Sequence, residues 1–244
     1  MTRQAFIDDP YSREAQARVF AVTDEGGIIL DSTIFYATSG GQPGDSGTLS
    51  WPSENGSPGK IGIATTVKGD GGSIILVPAE PNPLPPVGAQ VTQALTWDRR
   101  HRHMRMHTAL HLLSVVIARP VTGGAIGADK GRLDFEMPEP LADKAALEET
   151  LNKLIDCNFA VTTEWITESE LSANPALVKT LSVQPPKGAG RVRLVRIGEG
   201  ENTADVQPCG GTHVRETLEI GHVRLGKVEK KGKQNRRIYL HLVP

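Results

Sequence analysis

The chain has 244 residues, 38% apolar and 23% charged, ordinary globular proportions that exclude a disordered tail or a collagen-like fibre and leave room for one large domain or two small ones. Its net charge of −1 conceals a division: residues 1–96 carry 5 Lys and Arg against 10 Asp and Glu, whereas residues 97–244 carry 22 against 18. The second part is therefore the one suited to an anionic partner. Short β-favouring runs at 18–22, 28–31, 60–67, 74–77 and 91–97 are separated by glycine turns such as Asp24-Glu25-Gly26-Gly27 and Gly69-Asp70-Gly71-Gly72, a spacing that predicts a small β-barrel. Five prolines between Pro78 and Pro86 make that stretch an extended loop.

The periodicity changes near Thr96, which sets an expected boundary between a barrel domain over 1–96 and an α+β domain over 97–244. A helical pattern runs over 101–119 and stops at Pro120. A second helix is expected over 141–157, with acids early and Lys153 late, as the helix dipole favours, and with Cys157 as a small core residue. Strands are expected at 161–166, 192–197, 222–230 and 237–243, so the class is α+β. Two cysteines, Cys157 and Cys209, are too few for a disulfide framework, and no disulfide partner is expected for either. No basic start followed by an apolar stretch opens the chain, and the longest apolar run, near Leu110, is short and interrupted. A cytoplasmic protein that makes no membrane contact is expected.

Two pairs of residues carry the chemistry. His107 and His111 stand four apart on the predicted helix and so share one face. Cys209 and His213, also four apart, flank Gly210-Gly211-Thr212 in a tight loop after Pro208. One thiolate and three imidazoles form a borderline-soft set that suits a single Zn²⁺ per chain better than Mg²⁺ or Ca²⁺. A competing register, His103 with His107, lies among Arg99, Arg100, Arg102 and Arg105, where a cation is repelled. His107 and His111 instead adjoin the apolar Ala109, Leu110, Leu112 and Leu113, which favours that pair. Thr108 occupies the position where metalloprotease helices place a glutamate base, which argues against peptide hydrolysis. Four protein ligands are the hallmark of a structural zinc, and catalysis requires a displaced ligand, expanded coordination, or zinc acting only on the substrate's amino group.

The segments His107-Thr108-Ala109-Leu110-His111-Leu112-Leu113, Arg132-Leu133-Asp134-Phe135 and Cys209-Gly210-Gly211-Thr212-His213-Val214 resemble the editing domain of alanyl-tRNA synthetases. Together they are still more similar to the free-standing alanyl-tRNA editing hydrolases of the AlaX type. The run from Phe35 through Gly40-Gly41 to Gly47 resembles the glycine motif of the longer members. The resemblance covers roughly residues 17–242, and no aminoacylation domain fits in this length. It implies a barrel followed by an α+β editing domain with zinc between a helix and a glycine-rich loop, held by His107, His111, Cys209 and His213. It further implies trans-editing of aminoacylated tRNA(Ala), with hydrolysis of misattached serine and with glycine as a further candidate, and a discriminating role for Thr108, Gly40 and Gly41. Leu110 stands where a threonine is common, and the 122–127 segment lacks a glutamine often found there; both departures bear on substrate preference.

The activity has a physical motive. A pocket sized for alanine rejects glycine or serine by only about 10–200-fold, so a second, hydrolytic sieve is required. In that sieve the Thr108 hydroxyl is a candidate partner for serine; the alternative is a back-bond to the carbonyl four residues earlier. The Gly40-Gly41 loop lacks the Gly-Lys-Ser/Thr of a phosphate cradle, and a plain turn is its other reading. Asp134 is read as a carboxylate orienting a zinc ligand or a water, or as an ordinary strand-end acid. Basic clusters at Arg99, Arg100, Arg102 and Arg105, and at Lys230, Lys231, Lys233, Arg236 and Arg237, are the candidate tRNA contacts, with Arg191, Arg193 and Arg196 on a strand between them. Two other readings compete: a non-catalytic RNA-binding module with structural zinc, and a zinc hydrolase of small amino-acid esters.

Overall fold

The computed structural model describes residues 1–52, 58–81, 83–141, 143–179 and 190–243. The chain divides into two compact units, Met1–His101 and Arg102–Pro244.

In the first unit, strands β1 (Glu14–Val22), β2 (Ile28–Leu30), β3 (Gly47–Trp51), β4 (Gly59–Lys68), β5 (Ile74–Pro78) and β6 (Gln90–Leu95) close into a barrel in the order β1-β2-β5-β4-β3-β6. Closure leaves no unpaired strand edge. Alternate residues point inward, so that Val19, Ile28, Leu30, Leu49, Ile61, Ile63, Leu76 and Val91 form the core. The five expected strands are all present. The sixth, β3, escapes a sequence reading because it opens on Gly47 at the end of a glycine-rich run. That glycine is a packing requirement: a Cβ there would lie 2.1 Å from the Ala94 carbonyl oxygen.

The glycine motif is a tight turn. Ser39 and Gln42 exchange two backbone hydrogen bonds (3.1 and 2.9 Å), and the residues between them, Gly40 and Gly41, have φ of +56° and +82°. Two consecutive positive φ values are what two-residue hairpin turns demand, and glycine supplies them without steric cost. Behind the turn, Asp45 accepts from the Tyr36 amide (2.6 Å) and from Arg100 Nε (2.9 Å), while Arg100 also donates to the carbonyls of Ile34 and Pro10. Arg100 is 1% exposed, which corrects its assignment as a tRNA contact: its guanidinium belongs to a buried ion pair. Arg99 donates to the Gly44 carbonyl (2.6 Å).

The second unit is α+β. Helix α1 (Trp97–Ile117) starts four residues before the expected position; it ends just before Ala118, which has φ of +49°. Residues 106–114 are all buried, so this stretch of the helix is covered on every side, and the polar His107, Thr108, His111 and Ser114 are enclosed with its apolar residues. It packs closely on strand β8 at Gly131, where a Cβ would sit 2.6 Å from Met106 Sδ. After it come β7 (Val121–Ala125), β8 (Lys130–Glu136), α2 (Lys144–Asp156), β9 (Val161–Thr167), β10 (Arg191–Ile197), β11 (Asp205–Pro208), β12 (Val223–Lys231) and β13 (Asn235–Leu242). Two antiparallel sheets result, ordered β12-β13-β8-β7 and β9-β10-β11. Asp143 caps α2 by accepting from the Ala146 amide. Two side chains of α2 cover the edge of β12, Asn152 bonding both backbone groups of Val223 and Glu148 accepting from the Leu225 amide. Cys157 follows α2 and is exposed rather than in the core, and both cysteines are free. Among the described residues, no helix is long and apolar enough to cross a membrane.

Candidate metal centre

Two elements of the second unit bring the predicted ligands together. One turn of α1 separates His107 from His111. Strand β11 pairs with β10 as far as Leu194–Pro208, and the Cys209 amide extends the ladder by donating to the Arg193 carbonyl (3.1 Å). The chain then turns through Gly210-Gly211 and presents Cys209 and His213 to the helix. One ligand atom from each of His107, His111, Cys209 and His213 lies within 4.8 Å of the others. Cys209 Sγ is 3.5 Å from His107 Nε2 and 3.3 Å from His213 Nε2. Tetrahedral coordination with ordinary Zn–S and Zn–N lengths puts sulfur and nitrogen about 3.6 Å apart, so the spacing fits one cation. His103 is buried one turn earlier and lies outside this group.

The nitrogens facing away from the cluster have protein partners. His213 Nδ1 is 3.0 Å from the Thr108 hydroxyl, which is also 3.0 Å from the Met104 carbonyl and accepts from the Val214 amide at 3.3 Å. The back-bond reading of Thr108 is thus observed, and the hydroxyl has a further task in steadying His213. His111 Nδ1 is 3.1 Å from Asp205 Oδ2 and 3.1 Å from Gln207 Nε2. Lys179 Nζ lies 2.5 Å from Asp205 Oδ1. One guanidinium nitrogen of Arg193 donates to the carbonyls of Cys209 and Gly211, and the Gly211 amide points at the Cys209 sulfur.

The electrostatics favour an electron-rich site. Burial pushes the Cys209 thiol upward, but the charge of His107 and hydrogen bonds from His107 and His111 outweigh it and hold the thiol well below its usual range. Burial, reinforced by the charge of His107, lowers His213 to about 3 and so keeps it neutral. Burial also opposes protonation of His111, yet its bonds to Asp205 and Cys209 raise it to about 9. Asp205, despite burial, is lowered to about 2 by His111 and Lys179.

Asp205, Gln207, Lys179 and Arg193 were missed as site residues. The alternation Asp205, Gln207, Cys209 on one strand face was the available signal for the first two; Lys179 and Arg193 arrive through long-range folding. Of the two readings of Asp134, its contacts match the ordinary strand acid: both its oxygens receive Arg237 (2.7 and 2.8 Å) and Arg132 (3.1 Å), and the carboxylate that meets a ligand imidazole is Asp205. Among the remaining basic residues, Arg102 pairs with Asp129, Arg105 donates to the Ile220 carbonyl, and Arg236 donates to those of Pro138 and Glu139. Lys230, Lys231 and Lys233 are exposed around the β12–β13 hairpin.

The family model described as the threonyl and alanyl tRNA synthetase second additional domain matches residues 192–239, which include the Cys209–His213 loop. The chain is 37% identical to the alanyl-tRNA editing protein AlaX-M of Methanosarcina acetivorans over the full length of both proteins, and equally identical to that of Methanosarcina barkeri. It is 36% identical to the alanine–tRNA ligase of Pyrobaculum arsenaticum over 94% of this chain and 25% of that protein. With its barrel, its α+β unit and its histidine–cysteine cluster, the chain belongs to the AlaX-M family of alanyl-tRNA editing proteins.

Proposed function

We propose that the protein is a trans-editing deacylase that removes serine, and glycine as a second substrate, from wrongly charged tRNA(Ala). The observation that carries this reading is the meeting of His107, His111, Cys209 and His213 at one point in a chain that matches editing proteins from end to end. The donor set suits zinc. When bound, zinc supplies a Lewis acid beside the ester that links the amino acid to the terminal adenosine.

The chain's own residues do the rest. His107, His111, Cys209 and His213 hold the cation; Thr108 and Asp205 fix two of the imidazoles from behind. Cys209 is the partly exposed member of the four, which makes its side of the cluster the side of approach. The exposed Lys230, Lys231 and Lys233 offer phosphate contacts, so that binding of tRNA weakens with salt. A substrate that is charged tRNA places the activity in the cytoplasm.

Incubation with Ser-tRNA(Ala), Gly-tRNA(Ala) and Ala-tRNA(Ala), with and without a chelator, tests the reading. Release of serine but not alanine, lost with chelator and lost in His107→Ala and Cys209→Ala, is the expected result. Zinc and tRNA binding without release of any amino acid would instead mark a structural metal in an RNA-binding module. Equal cleavage of free amino-acid esters would mark a small-ester hydrolase.

A further inference from the structure

We infer that Asp205, held by Lys179 and Gln207, is a positioning residue that fixes the His111 imidazole with its Nε2 lone pair toward the metal. The inference rests on the metal reading above. Asp205 is completely buried, and its Oδ2 lies 3.1 Å from His111 Nδ1 and 2.7 Å from Gln207 Nε2. Were Nδ1 the unprotonated nitrogen, it would accept from the Gln207 amide, also 3.1 Å away, but its 3.1 Å contact with the buried carboxylate oxygen would have no proton between them. With the proton on Nδ1, that nitrogen and the Gln207 amide both donate to Oδ2, and the buried carboxylate has a donor on each side. The Nε2 atom, across the ring, is then a bare lone pair on the side of Cys209, His107 and His213.

Lys179 completes the arrangement. Its ammonium meets the other carboxylate oxygen at 2.5 Å, balancing the buried charge and blocking rotation of the carboxylate. Asp205 and Gln207 lie two apart on β11, so both side chains leave the strand on the same face. Since β11 leads directly into the Cys209 loop, one short strand supplies a metal ligand and the group that aims another. A carboxylate behind a ligating histidine fixes its tautomer and strengthens it as a donor, and its loss generally costs about 10- to 100-fold in metal affinity.

The test is zinc affinity of the full chain, measured by competition with a chromogenic chelator, for wild type, Asp205→Ala, Asp205→Asn and Lys179→Met. Long-range nitrogen–proton NMR of the wild-type imidazoles, zinc-loaded, accompanies it. The expected spectrum has His111 protonated at Nδ1 and ligated through Nε2. The expected affinities fall about 10- to 100-fold for Asp205→Ala, less for Asp205→Asn, whose carbonyl still accepts from Nδ1, and least for Lys179→Met. Ligation of His111 through Nδ1 overturns the inference. So does wild-type affinity in an Asp205→Ala protein whose circular dichroism is native. If Asp205→Ala does not fold, the wild-type spectrum and Lys179→Met decide. A wild type that binds no divalent cation overturns the metal reading as well, whereas tight binding that none of the variants alters overturns the positioning alone.

Discussion

Arg193 donates from a single guanidinium nitrogen to the carbonyl of Cys209 at 2.8 Å and to that of Gly211 at 2.9 Å. It is 7% exposed, so this member of a basic strand whose arginines do not all share one face is an internal brace for the ligand loop. Arg193→Met removes both bonds from a buried loop, at a cost of about 1–3 kcal/mol for charged hydrogen bonds. The loop's geometry loosens, and zinc affinity should fall about 10-fold or more. Chelator competition and thermal melting check the two effects; unchanged affinity would reduce Arg193 to a bystander.

Thr108 offers a sharper distinction. Its hydroxyl bridges Met104, His213 and Val214 and is inaccessible. Thr108→Val keeps the shape but leaves His213 Nδ1 and the Val214 amide unsatisfied, a loss of about 1–3 kcal/mol. Zinc affinity should drop, and Thr108→Ser should restore it. A valine variant with normal zinc binding and newly gained hydrolysis of Ala-tRNA(Ala) would show the hydroxyl acting on the substrate instead.

Periodic features were legible in the sequence and distant ones were not. His107 and His111 follow from helical spacing, and the barrel follows from short strands between glycine turns. Strands β3, β7 and β11 were invisible because Gly47, Gly123-Gly124 and Pro208 read as loop, their strand character coming from partners such as β6, β8 and β10. Charge was the poorest guide. Arg100, Arg193 and Arg237 look alike on paper, yet each is engaged by groups elsewhere in the chain, Asp45, the Cys209 loop and Asp134, and the first two are buried. Burial and pairing of a cation are tertiary facts.

Arg100 and the hairpin lysines should separate on that ground. Arg100→Ala leaves Asp45 charged and buried without its partner, which costs about 3–5 kcal/mol, and the variant should show a large fall in unfolding free energy. Lys231→Ala with Lys233→Ala removes exposed charge at little cost to stability and should lower the slope of log affinity for tRNA against log salt by about 1–2. Unfolding in urea and binding across a salt series check the pair. A stable Arg100→Ala protein with weakened tRNA binding would return that residue to the interface.

Gly41 tests the turn. A valine at φ of +82° enters a region closed to β-branched side chains, at a cost of about 1–2 kcal/mol, and the Ser39–Gln42 turn must rearrange. If this turn governs the choice of amino acid, Gly41→Val should bring the rates on Ser-tRNA(Ala) and Ala-tRNA(Ala) closer together while zinc affinity stays unchanged. Unaltered discrimination would leave Gly40 and Gly41 with a backbone role alone.

Asp134 sets an acid limit on stability. Burial tends to raise its pKa, but the bonds and charges of Arg237 and Arg132 prevail and lower it. A carboxylate that is more acidic folded than unfolded stabilises the native state above its unfolded pKa of about 3.9, and that contribution vanishes as pH falls through the folded value. Asp134→Asn mimics the protonated form in shape and in charge. The variant should be less stable than wild type by about 1–3 kcal/mol near neutrality, and the gap should close steadily below pH about 4. Urea titrations at a series of pH values measure that gap directly; a difference that persisted unchanged into acid would mean that packing around the introduced amide, and not the charge on Asp134, had produced it.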